Sequence, residues 1–352
     1  ESWLKSKDKP LLPRLRDFSH EVKLSKLPEA EKQQKLGFIK KQISNLEDYL
    51  QDLYNLLSDT DHLKKYLPPD PKLNSNLDYL RRLTEKNRLG KNLDYFDMSL
   101  ILRLIQLKNG GLPDGKGGTV SLDHIVIDEA QDFGPVEFAI MLDAVNDKRQ
   151  VTIVGDVAQK ILIARKFIGW NKVVENLGLD DDAIIRLEVS FRCTVPIMTL
   201  AHKVAGDPKK VEGRAGSEPV WQHTENYIDL IETLVDWSRG LLRADPSKLI
   251  ALICRYPKQA MELKEEMEAY LPGEVRLGHR DQFSFEPGIL VTNIHQVKGL
   301  EFDSVALVEP DEENYPAKRE ESRNMIYVGI TRTQEDLLLA TIRPFSSVLI
   351  GN

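Results

Sequence analysis

The stretch HIVIDEAQDF, running from His124 to Phe133, decides how this chain is read. An apolar, β-branched run ends in two adjacent carboxylates, Asp128 and Glu129, and a third follows at Asp132. Strands of this composition stop where the chain meets water, and Asp favours turns, so the pair alone marks only a strand end. Its chemical meaning depends on what surrounds it.

At 352 residues the chain is too long for one ordinary core, which predicts two or three domains. With 41% hydrophobic and 29% charged residues it has the composition of a globular protein. The longest apolar runs, such as LIALIC at 249–254, are strand-sized and far short of the roughly 20 residues of a membrane span. No secretory signal pattern is visible. Cys193 and Cys254 are the only cysteines and sit in no C-x-x-C, so neither a zinc site nor a disulfide framework is expected, and a reducing cytoplasm fits. Net charge is −7 but unevenly spread: residues 1–120 hold 22 Lys and Arg against 17 Asp and Glu, residues 121–352 hold 26 against 38. Charge-driven contact with nucleic acid is therefore expected from the N-terminal third or a local groove.

Residues 29–58 read as one long helix. Ile39, Ile43, Leu46, Leu50, Leu53 and Leu57 alternate steps of four and three, the seam of a coiled coil or the buried stripe of a core-facing helix. Pro28 marks its start and SDTD at 58–61 its stop. A linker-like LPPDPKLNSN follows at 67–76, then two helical stretches, LDYLRRLTEKNRLG and FDMSLILRLIQLKNGG, each closed by glycine. From about residue 122 short apolar runs (HIVID, QVTIVGD, KLIALICR, EVRLG, GILVTNIH, SVALVE, DLLLAT) alternate with helical patterns (PVEFAIMLDAV, WNKVVENLG, PKQAMELKEEMEAYL). Such alternation predicts parallel α/β sheets.

Five stretches then occur in order: IDEAQD at 127–132, VGDVAQ at 154–159, LEVSFR at 187–192, TNIHQVKGLEF at 292–302 and IYVGITR at 326–332. Together they closely resemble the motifs of the UvrD/Rep family of superfamily 1 helicases, over residues 122–340 or so. The texts GDVAQ, GWNKVVENLGL, SFRCTVPIMTLA and FDMSLILRL look most like the HelD branch. The resemblance implies tandem RecA-like parallel-sheet domains behind a helical region: 1–120 helical with a coiled-coil arm, 121–185 a partial first RecA-like domain, 186–352 the second. It implies ATP and Mg2+ as cofactors, and nucleic acid, DNA first, as partner. RNA polymerase binding through the HelD branch and a non-hydrolysing scaffold are the alternatives.

Chemistry agrees with that resemblance. In an open parallel sheet, ligands bind beyond the carboxyl ends of strands, where Asp128 and Glu129 stand. Asp128 suits Mg2+, a hard cation held by carboxylate and water oxygens, and Glu129 suits the general base for the attacking water. Gln159 suits contact with the γ-phosphate or orientation of that water. The resemblance further nominates Arg192 and Arg332 as the cations that approach the γ-phosphate, Phe191 for stacking on adenine, and Glu301 for the ribose. His295, Lys298 and Gly299 belong to the motif coupling nucleotide to nucleic acid.

Two departures stand out. No G-x-x-x-x-G-K-S/T occurs, and the glycine-rich LKNGGLPDGKGGTV at 107–120 reads as a hairpin or disordered connection. The chain opens on Glu1, and family motif order leads to the expectation that a phosphate-loop strand lies upstream and that the chain alone is inactive. After Gln159, Leu162 and Ala164 occupy places where strand-walking relatives carry aromatics, with Phe167 and Trp170 close by.

Overall fold

The computed structural model describes residues 11–67, 69–90, 95–114, 116–147, 149–160, 167–179, 183–187, 189–208, 210–279 and 283–351. The chain divides into two compact units, Glu1–Ile127 with Phe133–Ile153, and Asp128–Asp132 with Val154–Asn352. Leu162 and Ala164 lie outside the described residues.

In the first unit, helices α1 (Leu11–Leu24), α2 (Glu29–Ser58), α3 (Thr60–Lys64), α4 (Leu73–Gly90) and α5 (Tyr95–Asn109) come first. Glu29 and Glu31 sit in the first turn of α2, where negative charge complements the helix dipole. Asp59 ends α2 and its carboxylate accepts the His62 N–H at 3.0 Å, so the expected stop doubles as the N-cap of α3. The α2 stripe is filled by the chain's own helices. Leu46, Leu50, Leu53 and Tyr54 bury against Ile101 of α5, and Ile39 and Leu36 against Val22 of α1. The linker is shorter than expected, because α4 already begins at Leu73. The glycine-rich stretch forms a turn closed by a Pro113–Thr119 bridge, with Asp114 accepting the N–H groups of Lys116 and Gly118.

Strand β1 (Ile125–Ile127) and strand β2 (Val151–Ile153) pair in parallel, Ile125 with Val151 and Ile127 with Ile153. Between them runs α6 (Pro135–Leu142), which opens on proline, with Glu137 accepting the Gly134 N–H at 3.1 Å. Buried Gln106 of α5 donates to Ile140 O at 3.0 Å, tying α6 to the helical region of the same unit.

The second unit contains α7 (Trp170–Leu177), the short pair β3 (Val189–Ser190) and β4 (Glu212–Gly213), and α8 (Val195–Ala205) between them. There follow β5 (Val220–His223), α9 (Tyr227–Ala244), β6 (Leu249–Cys254), α10 (Pro257–Glu268), β7 (Val275–Leu277) and β8 (Gly288–Asn293). The chain closes with β9 (Phe302–Val308), α11 (Glu320–Thr331), β10 (Thr333–Thr341) and α12 (Ser347–Ile350). Six strands make one all-parallel sheet in the order β5-β10-β9-β6-β8-β7.

Every residue of β6 is buried, as expected for a parallel strand covered on both faces. Leu249, Ala251 and Ile253 face a core shared with α8 and α11, while Ile250, Leu252 and Cys254 face a second core shared with α9 and α10. At roughly 25 cal/mol per Å2 of apolar area removed from water, these two cores supply the main stabilisation of the unit. The fold class is thus the expected one, α/β with parallel sheets and a helical N-terminal region. Among the described residues no helix is long and apolar enough to cross a membrane.

Candidate nucleotide site

Every nominated residue falls in the second unit. Beyond Ile127 the chain enters a tight turn whose last part, Ala130–Asp132, is a single 3-10 turn. Glu129 takes φ 51°, a left-handed conformation uncommon for a non-glycine residue. Asp128 Oδ1 accepts the Glu129 N–H at 2.8 Å, which fixes the start of the turn. Gln131, fully buried, donates through Nε2 to Glu129 Oε2 and accepts the Asp156 N–H on Oε1 at 2.9 Å. Lys298 Nζ donates to both Asp132 oxygens at 2.6 Å and lies 3.8 Å from Glu129 Oε2. Glu129 and Lys298, nominated from different motifs, are therefore brought together.

Asp156 organises the second turn. Its Oδ1 accepts the Ala158 N–H at 2.9 Å, and its Oδ2 accepts from Gln159 Nε2 at 3.1 Å and from the Tyr327 hydroxyl at 2.9 Å. The other end of the Gln159 amide, Oε1, accepts from Arg332 Nη2 at 2.8 Å. Arg332 is 1% exposed, and its remaining donors go to Val328 O and Leu300 O, each at 3.2 Å, and to Thr331 Oγ1 at 3.3 Å. Burial, and then the Arg192 guanidinium nearby, hold the Arg332 pKa below the ordinary arginine value; an arginine so placed still carries its charge. Burial and the neighbouring Asp156 carboxylate push Tyr327 up, so it donates as a neutral phenol.

Arg192 and Glu301 form an ion pair at 2.5 Å, and Glu301 Oε2 also accepts from Gln334 Nε2 at 3.2 Å. Arg214 donates to the Arg192 carbonyl at 3.0 Å and to the Gln334 carbonyl at 2.7 Å, bracing the same corner. Phe191 is 87% exposed, presenting an open ring face. Cys193 is buried between the two arginine-bearing segments and its thiol is pushed up to about 11, burial outweighing the nearby guanidinium groups. Gly299 has φ 76° with open space where a side chain would stand.

The partner of the His295 ring is Arg255, Nε2 to Nη1 at 3.1 Å. Burial, then the Arg255 charge, lower its pKa below the usual histidine value. Arg255 lies over the Tyr256 ring at 4.6 Å and the Tyr315 ring at 5.8 Å. Phe167 is 8% exposed and packed edge-on against Trp170 at 5.1 Å, which leaves little of its face for a base.

Sequence reasoning did not single out Gln131, Asp156, Tyr327 or Arg255. Three of them lie inside quoted motifs, IDEAQD, VGDVAQ and IYVGITR, but their roles come from long-range bonds that motif spacing does not reveal. Among the described residues no group of three or more His, Cys, Asp or Glu side chains is placed to hold a metal ion. Asp128 is the acidic residue at the strand end with the right chemistry. A lone carboxylate suits Mg2+, which keeps several water and phosphate oxygens rather than an all-protein cage.

The acidic turn, the Gly-Asp turn and the two arginines thus lie in one unit of an α/β chain. The UvrD/REP helicase N-terminal domain matches residues 5–165 and the UvrD-like helicase C-terminal domain matches residues 273–344. ATP-dependent DNA helicase UvrD2 of Mycobacterium bovis, and its counterpart in Mycobacterium tuberculosis, are each 24% identical over 168 residues, covering 44% of this chain and 24% of the relative. The chain thus spans about a quarter of the length of these curated relatives. A solved structure, the C-terminal domain of a possible DNA helicase from Lactobacillus plantarum, is similar over 46% of this chain and 92% of its own, at 24% identity and a TM-score of 0.39. In both its N-terminal and its C-terminal part the chain is thus similar to UvrD-type helicases.

Proposed function

We propose that this chain is part of an ATP-dependent DNA helicase or translocase of the UvrD/Rep type, working with Mg2+ in the cytoplasm. In this reading residues 121–185 contribute to a first RecA-like domain and 186–352 form the second. Asp128 holds Mg2+ together with phosphate and water oxygens, and Glu129 takes the proton of the attacking water. Gln159, Arg192 and Arg332 meet the γ-phosphate, where fixed cations stabilise developing charge. Phe191 and Glu301 receive the nucleoside; His295, Lys298 and Gly299 couple the nucleotide to DNA.

The observation that carries this reading is the bond between Arg332 and Gln159 together with the Glu129–Lys298 approach, which pair residues from four separately quoted motifs. The 352 residues contain no G-x-x-x-x-G-K-S/T, so the isolated chain is expected to bind ATP weakly and to hydrolyse none measurably. The test is Glu129→Gln in the full-length gene product, which keeps size and hydrogen bonding but deletes the base. ATP binding should persist while hydrolysis falls by roughly 100-fold or more. Unchanged turnover would sink the assignment.

The narrower HelD-like reading, with RNA polymerase as partner, draws on SFRCTVPIMTLA and on the 30-residue helix α2. Co-purification with RNA polymerase would support it, and binding to single-stranded DNA alone would favour the UvrD-type reading.

A further inference from the structure

We propose that Gln131 is a positioning residue for Glu129, gripping its carboxylate with one end of the side-chain amide and the Gly155–Asp156 turn with the other. The proposal rests on the reading of Glu129 as the base.

Gln131 is fully buried, and a buried amide needs partners for both its donor and its acceptor. It has them: Nε2 donates to Glu129 Oε2, and Oε1 accepts the Asp156 N–H at 2.9 Å. Because the amide is one rigid plane, a displacement of the Asp156 turn is delivered to the Glu129 carboxylate. The packing allows little slack. A Cβ on Gly155 would stand 2.5 Å from Gln131 Oε1 and 3.0 Å from the Ala130 nitrogen, so glycine at 155 is what lets the two turns approach.

Glu129 needs such a grip. Its φ of 51° is a sparsely populated conformation that persists only where the surroundings over-determine it. The chain of bonds also continues. Asp156 Oδ2 accepts from Gln159 Nε2 at 3.1 Å, and Gln159 Oε1 accepts from Arg332 Nη2 at 2.8 Å. Glu129 and Arg332 are thereby the two ends of one unbroken hydrogen-bonded chain whose first link is Gln131. A nucleotide that moves the arginine end changes where the carboxylate points.

The test uses Gln131→Met, Gln131→Glu and Gly155→Ala in the full-length gene product, each also combined with Glu129→Gln. Met removes both bonds at similar volume. Glu keeps the acceptor for Asp156 but loses the donor to Glu129, and Ala at 155 displaces an intact Gln131. Each single variant should lower kcat roughly 10- to 100-fold, the scale of a misplaced catalytic group, with KM for ATP held within about threefold. In the Glu129→Gln background none should lower the residual single-turnover rate further, because the residue being positioned is already disabled. Thermal midpoints check folding, and if the Gln131 variants do not fold, Gly155→Ala carries the comparison. A kcat within about twofold of wild type would overturn the proposal, as would equal losses in both backgrounds, which would put the action of Gln131 somewhere other than Glu129. If Glu129→Gln itself turns over ATP at the wild-type rate, the base reading fails first, and that outcome is distinct from either of these.

Discussion

Arg332 Nη2 and Gln159 Oε1 are joined at 2.8 Å, and the guanidinium that makes this bond is 1% exposed. A buried cation of this kind is held by its acceptors, here an amide oxygen, the carbonyls of Leu300 and Val328, and the Thr331 hydroxyl. The bond therefore has a structural as well as a chemical side.

Arg332→Ala should strand those acceptors in the core and destabilise the second unit by roughly 3 kcal/mol, the cost of unsatisfied buried polar groups with a lost charged partner. Arg332→Lys keeps the charge but not the planar fork, so its loss should be smaller and its effect on turnover nearly as large. Urea denaturation beside ATPase assays on the full-length gene product separates the two. Equal turnover in wild type and the Lys variant would remove Arg332 from the chemistry.

In the helical region, Leu46→Asp and Leu50→Asp place a carboxylate against Ile101 and Tyr54. An unpaired buried charge of this kind should cost roughly 3 kcal/mol or more. Hydrogen exchange should show α2 and α5 losing protection while β6, β8 and β9 keep theirs. Loss of protection throughout the chain would show that the stripe is part of a single cooperative core.

His295 supplies a pH dependence with a defined sign. Its folded pKa is lowered by burial and by Arg255, with Glu321 opposing. Between that lowered value and about 6.5 the unfolded chain binds more protons than the folded one, so stability rises with pH there. The contribution is complete above about pH 6.5 and is lost as pH falls through that value toward the folded pKa. His295→Gln, which offers Arg255 a neutral acceptor, should flatten the change in urea midpoint on acidification. An unchanged slope would assign the effect to other groups.

Cys193 and Cys254 are each 2% exposed, and burial holds both thiols above their usual range, Cys193 at about 11. Neither should react with a soluble disulfide reagent at mildly alkaline pH until the second unit unfolds, since the thiolate is the nucleophile. Titration of free thiols before and after adding denaturant checks this; fast labelling of folded protein would show that the α8–α11 side opens readily.

Much of the fold was legible because its elements announce themselves locally. LIALIC is apolar on both faces and could only be a buried strand; WNKVVENLG carries its own stop, with Gly178 at φ 66°. The helix Tyr227–Ala244 escaped notice although Asn226 caps it, Leu230, Ile231, Leu234 and Val235 recur at helical spacing and Pro246 follows its end. Strand order was not legible, since β6 lies between β9 and β8 through pairings that sequence order does not encode. Motif positions such as Arg332 and Gln159 could be named from sequence, whereas Asp156 and Tyr327 could not: their bond spans 171 positions in the chain.

The strand Leu249–Cys254 belongs to two neighbourhoods at once, with odd positions lodged among one set of helices and even positions among another. A tolerance map of this segment would therefore read as two interleaved series. Substitutions at Ala251 would be rescued by changes in α8 or α11, and substitutions at Leu252 by changes in α9 or α10, with little traffic between the series. Inserting a single residue ahead of Leu249 would exchange the two sets wholesale, sending each side chain to the wrong address while leaving composition and hydrophobicity unaltered.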